Sequence, residues 1–195
     1  MFTGIIQAAV PIVTTTQKKE CLVVRVKKPT QWKLALGQSI TVDGICSTVT
    51  NKGPSFFEVE YMPETLAKTT ATLFEKGRSV NLERSLTLRD YIDGHLVAGH
   101  VDATAKVRTI KDLGTTWEIG FVVPKALVRY IAPKGSIAIN GISLTVVMIQ
   151  WNTVTVALIP YTLTHTNLGE LTAGDSVNVE VDMVARYVER MLKEK

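Results

Sequence analysis

Several features that define common protein classes are scarce or missing in this sequence of 195 residues. It has two cysteines, Cys21 and Cys46, and three histidines, and their spacing fits neither a zinc site nor a disulfide framework. No apolar run approaches the roughly 18 residues of a membrane-spanning helix, and residues 1–7 lack the basic end of a signal peptide. We therefore expect no metal, no membrane contact and a cytoplasmic location, although an organellar form without its transit peptide would look the same.

Positive charge is present but is not concentrated. The formal net charge is +4, and the basic residues, among them Lys18, Lys19, Lys27 and Lys28, are scattered between acidic ones. A face that binds nucleic acid would cluster its basic residues with aromatic residues between them. We therefore interpret these residues as solvated surface charge and expect no nucleic-acid partner.

What the sequence does contain is an internal repeat. Residues 36–50, LGQSITVDGICSTVT, match residues 133–147, PKGSIAINGISLTVV, at an offset of 97. Three further pairs of blocks follow in the same order: 62–70 with 159–167 and 77–83 with 174–180 at offset 97, and 2–10 with 97–105 at offset 95. Repeated blocks in one order indicate a gene duplication that produced two copies of one small domain.

Each copy is predicted to be all-β. Segments such as SITVDGI and FFEVEYM alternate apolar with polar residues and are rich in β-branched types. Asp43-Gly44 and Asn140-Gly141 lie at matched positions between two such segments and predict tight hairpin turns. Short strands with frequent turns, in about 90 residues per copy, suit a small β-barrel. The polar segment 84–94 is the predicted linker between the copies.

The end of the chain follows a different pattern. Residues 183–195 have a helical spacing of apolar side chains that forms a narrow stripe: Met183, Val184, Tyr187, Val188, Met191 and Leu192. Such a helix either folds back on its own barrel or packs against copies of itself. We expect an N-terminal barrel at 1–88, a C-terminal barrel at 89–182 and an oligomerisation helix at 183–195.

Comparison of the two copies points to residues that perform chemistry in only one of them. Cys46 stands opposite Ser143, and His100 stands opposite Ile5. A thiol serves as a nucleophile or a proton-transfer group, best with a pKa lowered by nearby positive charge, although a lone strand cysteine is also a common buried apolar residue. An imidazole transfers protons near neutral pH, unless it is a core histidine satisfied by backbone.

The remaining histidines and the second cysteine are weaker candidates. His95 lies on the same segment as His100, and His165 is predicted to be a loop residue. Packing alone is enough to explain Cys21.

Four motifs together resemble the riboflavin synthase α-chain family: MFTGII, DGICSTV, DGHLVAGHVDA and KGSIAINGISLTV. The resemblance covers essentially the whole chain. It implies two six-stranded Greek-key β-barrels per chain, C-terminal helices that hold a homotrimer, and an active site between the N-terminal barrel of one subunit and the C-terminal barrel of its neighbour. It implies transfer of a four-carbon unit between two molecules of 6,7-dimethyl-8-ribityllumazine, with no cofactor because the lumazine ring is itself the electron sink.

The resemblance also implies a set of site residues. Cys46, His100, Ser143 and Asp182 are the catalytic candidates. Substrate contacts are expected in the first copy from Gly4, Ile5, Ile6, Ser39, Cys46, Ser47, Thr48, Glu60, Tyr61, Met62, Pro63, Glu64 and Thr65, and in the second from Gly99, His100, Val101, Lys134, Ser143, Leu144, Thr145, Ala157, Leu158, Ile159, Pro160, Tyr161 and Thr162. Some family members have an acid where this chain has Asn140, and because an amide cannot accept a proton as a base, the general base stays unassigned.

Two other functions remain open. A lumazine protein would bind the same ligand on the same fold without turnover; members of that branch tend to lose the matched cysteine or histidine, and this chain has both. A flavin-binding barrel of an oxidoreductase would need a nicotinamide-binding domain, but the sequence lacks a GxGxxG motif. Association with a separate lumazine synthase is possible within the family.

Overall fold

The first copy forms a β-sheet domain in the computed structural model, which describes residues 1–193. Its strands are β1 (Ala8–Lys18), β2 (Cys21–Lys27), β3 (Ser39–Val42), β4 (Ile45–Thr48), β5 (Asn51–Lys52), β6 (Phe56–Tyr61) and β7 (Ser79–Arg84). Helix α1 (Pro63–Lys68) and a 3-10 turn at Thr70–Leu73 connect β6 to β7.

The second copy repeats this order of elements. Its strands are β8 (Ala103–Asp112), β9 (Trp117–Val122), β10 (Ser136–Ile139), β11 (Ile142–Gln150), β12 (Thr153–Leu158) and β13 (Ser176–Val181). It also contains 3-10 segments at Lys125–Tyr130 and Asn167–Glu170, helix α2 (Pro160–His165) and helix α3 (Met183–Lys193). The last two positions of the helix predicted over 183–195 lie outside the described residues.

The two sheets differ in how they close. The second is a closed barrel with strand order β10-β11-β12-β9-β8-β13, whereas the first has seven strands in the order β4-β3-β7-β1-β2-β6-β5. Strands β4 and β5 together match the single strand β11, whose register shifts between Val146 and Met148. At the matched place in the first copy the strand is interrupted between β4 and β5. Hydrogen bonds continue across this gap, because the Val49 amide donates to Gln38 O and the Thr50 amide donates to Glu58 O, each at 2.9 Å. The predicted all-β fold with two tandem β-barrel domains and a terminal helix is thus confirmed, with one barrel interrupted at this bulge.

Both predicted hairpin turns are present. Asp43 and Gly44 have φ values of 48° and 77° and join β3 to β4, while Asn140 and Gly141 have φ values of 45° and 79° and join β10 to β11. Positive φ at both central residues matches the twist of the strands, which is why Asp-Gly and Asn-Gly suit this turn.

Alternation along each strand separates a core face from an outer face. In β4, Ile45 and Ser47 are buried, whereas Cys46 and Thr48 are exposed. Burial of an aliphatic side chain such as Ile45 contributes about 1.5–3 kcal/mol, and a slip of one residue would reverse all four side chains. The register that fills the core therefore also places Cys46 on the outer surface.

The two barrels meet at their hairpin turns. A Cβ atom on Gly44 would lie 2.6 Å from the Gly141 nitrogen, so the turns contact each other through bare backbone. Around them, Asn81 Nδ2 donates to Asn140 O at 3.1 Å, and its counterpart Asn178 Nδ2 donates to Asp43 O at 2.8 Å. These reciprocal bonds connect each domain to the turn of the other.

Helix α3 contacts its own barrel through polar side chains. Glu189 accepts from Arg129 at 2.8 Å, and Arg186 forms an ion pair with Asp102 at 2.7 Å. The apolar stripe faces outward and is 50–68% exposed at Val184, Tyr187, Val188, Met191 and Leu192. Among the described residues, no helix is both long enough and apolar enough to cross a bilayer.

Candidate active site

The segment that precedes each barrel lies against the other barrel. The Cys46 amide of the first copy donates to Gly99 O of the second at 2.8 Å, and the Ser143 amide of the second copy donates to Gly4 O of the first at 2.8 Å. A Cβ atom on Gly99 would lie 2.7 Å from Cys46 Cβ, and Gly99 has a φ of +79°. Only glycine permits this approach and this conformation. Because each segment lies against the opposite barrel, residues of both copies come together at each site.

The first site is a cleft of about 340 Å³ that we name the Cys46 cleft. It is lined by Ile45, Cys46, Glu64, Thr65, Lys68, Thr69, Gly99, His100 and Val101. A cleft of this volume is suited to a small molecule. The structure therefore brings Cys46 and His100 together, although they are far apart in sequence and belong to different copies.

The Cys46 thiol does not have the lowered pKa that would best suit a nucleophile. Burial raises its pKa; the positive charge of the chain's amino terminus opposes this rise in part, and the charge of Glu180 adds a smaller further rise. Because an ordinary cysteine has a pKa near 8.5, a raised value keeps the thiol protonated at neutral pH. In the single chain Cys46 is thus suited to donating a proton or a hydrogen bond.

The second site, which we name the Ser143 site, contains Ser143, Gly4 and His95. His95 Nδ1 lies 2.7 Å from Ser143 Oγ. Burial lowers the pKa of His95, and the charge of Asp182 opposes this shift in part. The imidazole is therefore neutral at neutral pH and can either donate to or accept from the hydroxyl, depending on its tautomer.

The sequence alone favours His100 over His95 and carries no signal that links His95 to Ser143. His95 lies outside the matched blocks 2–10 and 97–105. Comparison of the copies therefore could not single it out. The available signal was its place in DGHLVAGH, the segment that also carries His100.

Matched positions of α1 and α2 carry different side-chain pairs. In α1, Glu64 and Lys68 form an ion pair at 2.8 Å. At the corresponding positions of α2, the rings of Tyr161 and His165 stack with centroids 3.9 Å apart. The prediction that His165 lies in a loop was wrong, because it is the last residue of α2.

The other predicted site residues fall into two groups. Some lie on outer faces: Ile5, Thr48, Glu60, Met62, Pro63, Lys134, Thr145, Ala157, Ile159 and Pro160 are exposed, and Ser39 pairs with Thr48 across β3 and β4. The others contribute to the interior: Ser47, Tyr61, Leu144 and Leu158 are buried, Ile6 packs against the core of the second barrel, and Thr162 occupies the position that matches Thr65. Ser47 Oγ donates to Tyr61 OH at 3.0 Å inside the first barrel, so a ligand outside could reach these two residues only through backbone.

The acidic candidates lie away from the Cys46 cleft. Asp182 Oδ1 accepts from the Val184 amide at 2.9 Å and thereby begins α3. Asn140 and its counterpart Asp43 are buried between the barrels, where burial raises the pKa of Asp43 to about 7. The departure at Asn140 thus changes the contact between domains rather than the lining of that cleft. Within residues 1–193, no three His, Cys, Asp or Glu side chains are grouped as metal ligands would be.

The fold and the two candidate sites define a tandem-barrel protein in which the segment before each barrel contributes residues to the site on the other barrel. Residues 3–85 and 98–182 each match the model of the lumazine binding domain. The chain is 41% identical to the riboflavin synthase of Brucella abortus (strain 2308) over 197 residues, which cover 98% of both chains. It is 37% identical to that of Bacillus subtilis (strain 168) over 193 residues, which cover 98% of this chain and 90% of that protein.

The chain therefore belongs to the riboflavin synthase family and carries two copies of the lumazine binding domain. The family resemblance seen in the sequence motifs is confirmed. Among solved structures, LumP complexed with riboflavin matches with a TM-score of 0.87 over 93% of this chain and 99% of that chain. At 24% sequence identity this likeness shows the fold.

Proposed function

We propose that the chain catalyses the conversion of two molecules of 6,7-dimethyl-8-ribityllumazine into riboflavin and 5-amino-6-ribitylamino-2,4-pyrimidinedione. A four-carbon unit leaves one lumazine and joins the other, so the atoms balance without an oxidant or reductant. The observation that carries the proposal is that Cys46 and His100, one from each copy, line a single cleft. Relationship to riboflavin synthases over nearly the full chain supports the same activity.

The reaction needs one chemical step on each lumazine. The 7-methyl group of one lumazine must lose a proton, and a nucleophile must add to the ring of the other. His100 is the proton-transfer group of the Cys46 cleft, because an imidazole ring can both accept and donate a proton. Cys46, with its raised pKa, donates a proton or a hydrogen bond to the ring.

The Ser143 site holds the second lumazine. The neutral His95 beside Ser143 orients the serine hydroxyl, which then bonds the polar edge of the ring. Asp182 supports this pair through its charge near His95. Holding both reactants in place makes the carbon transfer effectively intramolecular, which can lower the barrier by several kcal/mol, on the order of 7 in well-oriented systems.

Two copies of the fold suit a reaction between two identical molecules. The first domain, 1–88, and the second, 89–182, each contribute one ligand site. Three chains assemble through α3, so that the Cys46 cleft of one subunit faces the Ser143 site of its neighbour. The exposed apolar stripe of α3 supports this homotrimer, because the polar face of the helix is already used against its own barrel.

Two expectations from the family remain predictions. They are a cytoplasmic location and association with a lumazine synthase. Cell fractionation and co-purification at native abundance would check them.

An assay with purified protein tests the proposed function. Incubation with 6,7-dimethyl-8-ribityllumazine should produce riboflavin, detected by its yellow absorbance and by chromatography, with one pyrimidinedione for each flavin. Lumazine that binds but stays unchanged would instead assign the chain to the non-catalytic lumazine proteins, which the fold likeness to LumP keeps as the second candidate.

A further inference from the structure

Each barrel has a buried glutamate at the same place in its last strand. Glu83 in β7 and Glu180 in β13 are related by the offset of 97, and they are 2% and 4% exposed. A buried carboxylate is costly unless its oxygens accept hydrogen bonds. The partners of these two carboxylates therefore show what each one holds in place.

Both carboxylates bind the backbone of the segment that precedes their own barrel. Glu83 Oε1 accepts from the Thr3 amide at 2.7 Å and from Thr3 Oγ1 at 2.6 Å, while Glu83 Oε2 accepts from the Gly4 amide at 3.0 Å. Glu180 Oε1 accepts from the Ala98 amide at 2.8 Å, and Glu180 Oε2 accepts from the Gly99 amide at 2.9 Å. Each carboxylate thus uses both oxygens on consecutive amides.

The segment held by Glu180 crosses to the Cys46 cleft. Gly99, whose amide donates to Glu180, accepts from the Cys46 amide through its own carbonyl at 2.8 Å. His100 follows directly, and its carbonyl accepts from Arg186 Nη2 at 3.1 Å. The His100 side chain is exposed, so its position is set by the backbone that carries it.

The segment held by Glu83 follows the same path, but it carries a different residue at the position that matches His100. Gly4 accepts from the Ser143 amide at 2.8 Å, and the next residue is Ile5, which stands where His100 stands in the other segment. The duplication therefore gives Glu83 and Glu180 the same hydrogen-bonding role. Only the segment bound by Glu180 contains a residue, His100, that is able to transfer protons.

We propose that Glu180 is a positioning residue that holds the backbone of His100 against the Cys46 cleft. Its counterpart Glu83 holds Ile5 against the Ser143 site and affects binding only. The inference rests on the proposed function, because it assigns Glu180 an effect on turnover through His100.

Glu180→Gln is the sharpest variant, because it keeps the size of the side chain. A carboxamide has one carbonyl oxygen and one NH₂ group, and the NH₂ would face the amide of Ala98 or Gly99, donor against donor. Glu83→Gln makes the same change in the other copy and is the matched comparison. Both variants should lose thermal stability to a similar extent.

The kinetic result should differ between the two variants. We expect Glu180→Gln to lower kcat about tenfold with a change in KM of less than about twofold. Glu83→Gln should raise KM while lowering kcat by less than about threefold. Combined with His100→Gln, Glu180→Gln should lower kcat much less than it does alone, because both changes remove the contribution made through His100.

A spectroscopic measurement checks the inference without turnover. The chain has three histidines, so the imidazole ¹H–¹³C resonances can be assigned with the His100→Gln variant. Glu180→Gln should shift or broaden the His100 resonance, and Glu83→Gln should leave it in place. If Glu180→Gln fails to fold, Glu180→Asp against Glu83→Asp gives the same comparison, since the shorter side chain withdraws the carboxylate from both amides.

Three outcomes would overturn the inference: equal kinetic effects of the two variants, multiplicative effects of Glu180→Gln and His100→Gln, or an unchanged His100 resonance. Failure of the proposed function would look different. The unaltered protein would then make no riboflavin, while the resonance comparison would still report whether Glu180 holds His100.

Discussion

Single residues distinguish the two ligand sites, which otherwise share one backbone plan. Cys46 replaces Ser143, and His100 replaces Ile5, at positions that the duplication makes equivalent. The Cys46 cleft therefore has a thiol and an imidazole, whereas the Ser143 site has a hydroxyl with a buried neutral imidazole beside it. In the proposed mechanism, proton transfer takes place in the first site and the second site orients the ligand.

Replacement of the Cys46 cleft residues tests this division. We expect His100→Gln to lower kcat by about 100-fold and Cys46→Ser by about tenfold, while the dissociation constant for riboflavin changes by less than about threefold. Steady-state kinetics and fluorescence titration measure the two quantities. Cys21→Ser, at a partly buried strand position that does not line the Cys46 cleft, is the control. An equal loss of binding and turnover would mean that the two residues only line the cleft.

Asp43 shows a second effect of a single residue, here between the domains. The carboxyl is fully buried, Oδ1 accepts from the Asn81 amide and from Asn167 Nδ2, and Oδ2 has no hydrogen-bond partner within the described chain. Burial raises its pKa to about 7, against about 3.9 in an unfolded chain. The folded state thus binds this proton more tightly than the unfolded state does.

The free energy of unfolding should therefore fall as pH rises between about 4 and about 7, with a slope from this group of up to about 1.4 kcal/mol per pH unit. Asp43→Asn should remove that component of the slope, because the amide does not titrate. Urea unfolding at several pH values measures it, with the exposed Asp93→Asn as control. An unchanged slope in Asp43→Asn would show that the buried carboxyl does not release its proton in this range.

At the scale of the elements, the hairpin turns show what the sequence could and could not predict. Asp43-Gly44 and Asn140-Gly141 were identified as turns because their φ preferences are local, and both have the expected positive φ. The contact between Gly44 and Gly141 could not be predicted from the sequence, because it depends on how two folded domains meet. The hydrogen bonds of Gly4 and Gly99 to the opposite barrels could not be predicted for the same reason.

Helix α3 illustrates a different limit. Its apolar spacing predicted a helix but left open whether the stripe packs on its own barrel. The structure shows that polar partners on the barrel, Arg129 and Asp102, hold the opposite face. Pairs so distant in sequence carry no local signal, and the same holds for His95 with Ser143.

The contact between the turns predicts an unequal cost of adding one methyl group. Gly44 and Gly77 both have positive φ, but nothing lies within 4 Å of a Cβ atom at Gly77. Gly77→Ala should cost about 1–2 kcal/mol for the strained φ alone. Gly44→Ala should cost about 1–3 kcal/mol more, because the added Cβ overlaps the backbone of Gly141. Denaturant unfolding compares the two variants, and equal costs would argue against close contact of the turns.

At the scale of the whole molecule, helix α3 leaves an apolar surface uncovered in the single chain. A surface stripe of Val184, Tyr187, Val188, Met191 and Leu192 is exposed in the single chain, and exposed apolar patches of this kind mark interaction sites. The same helix binds the His100 carbonyl through Arg186. The proposed assembly and the arrangement of the Cys46 cleft therefore involve one element.

Removal of the chain after Asp182 should yield monomers with little activity, as measured by sedimentation velocity and turnover. Because the deletion also removes Arg186, the point variant Val188→Lys separates the two effects. It places a charge on the exposed stripe and leaves the bond to His100 intact, and it too should dissociate the proposed trimer. A trimer that stays assembled and active after the deletion would refute the role of α3.

The central claim is that two lumazine molecules are held together, one in the Cys46 cleft and one in the Ser143 site that faces it. Equilibrium dialysis of 6,7-dimethyl-8-ribityllumazine against the slow His100→Gln variant counts them directly. We predict two bound molecules for each facing pair of sites. One molecule per pair would contradict the account, because carbon would then have no second ring to which it could pass.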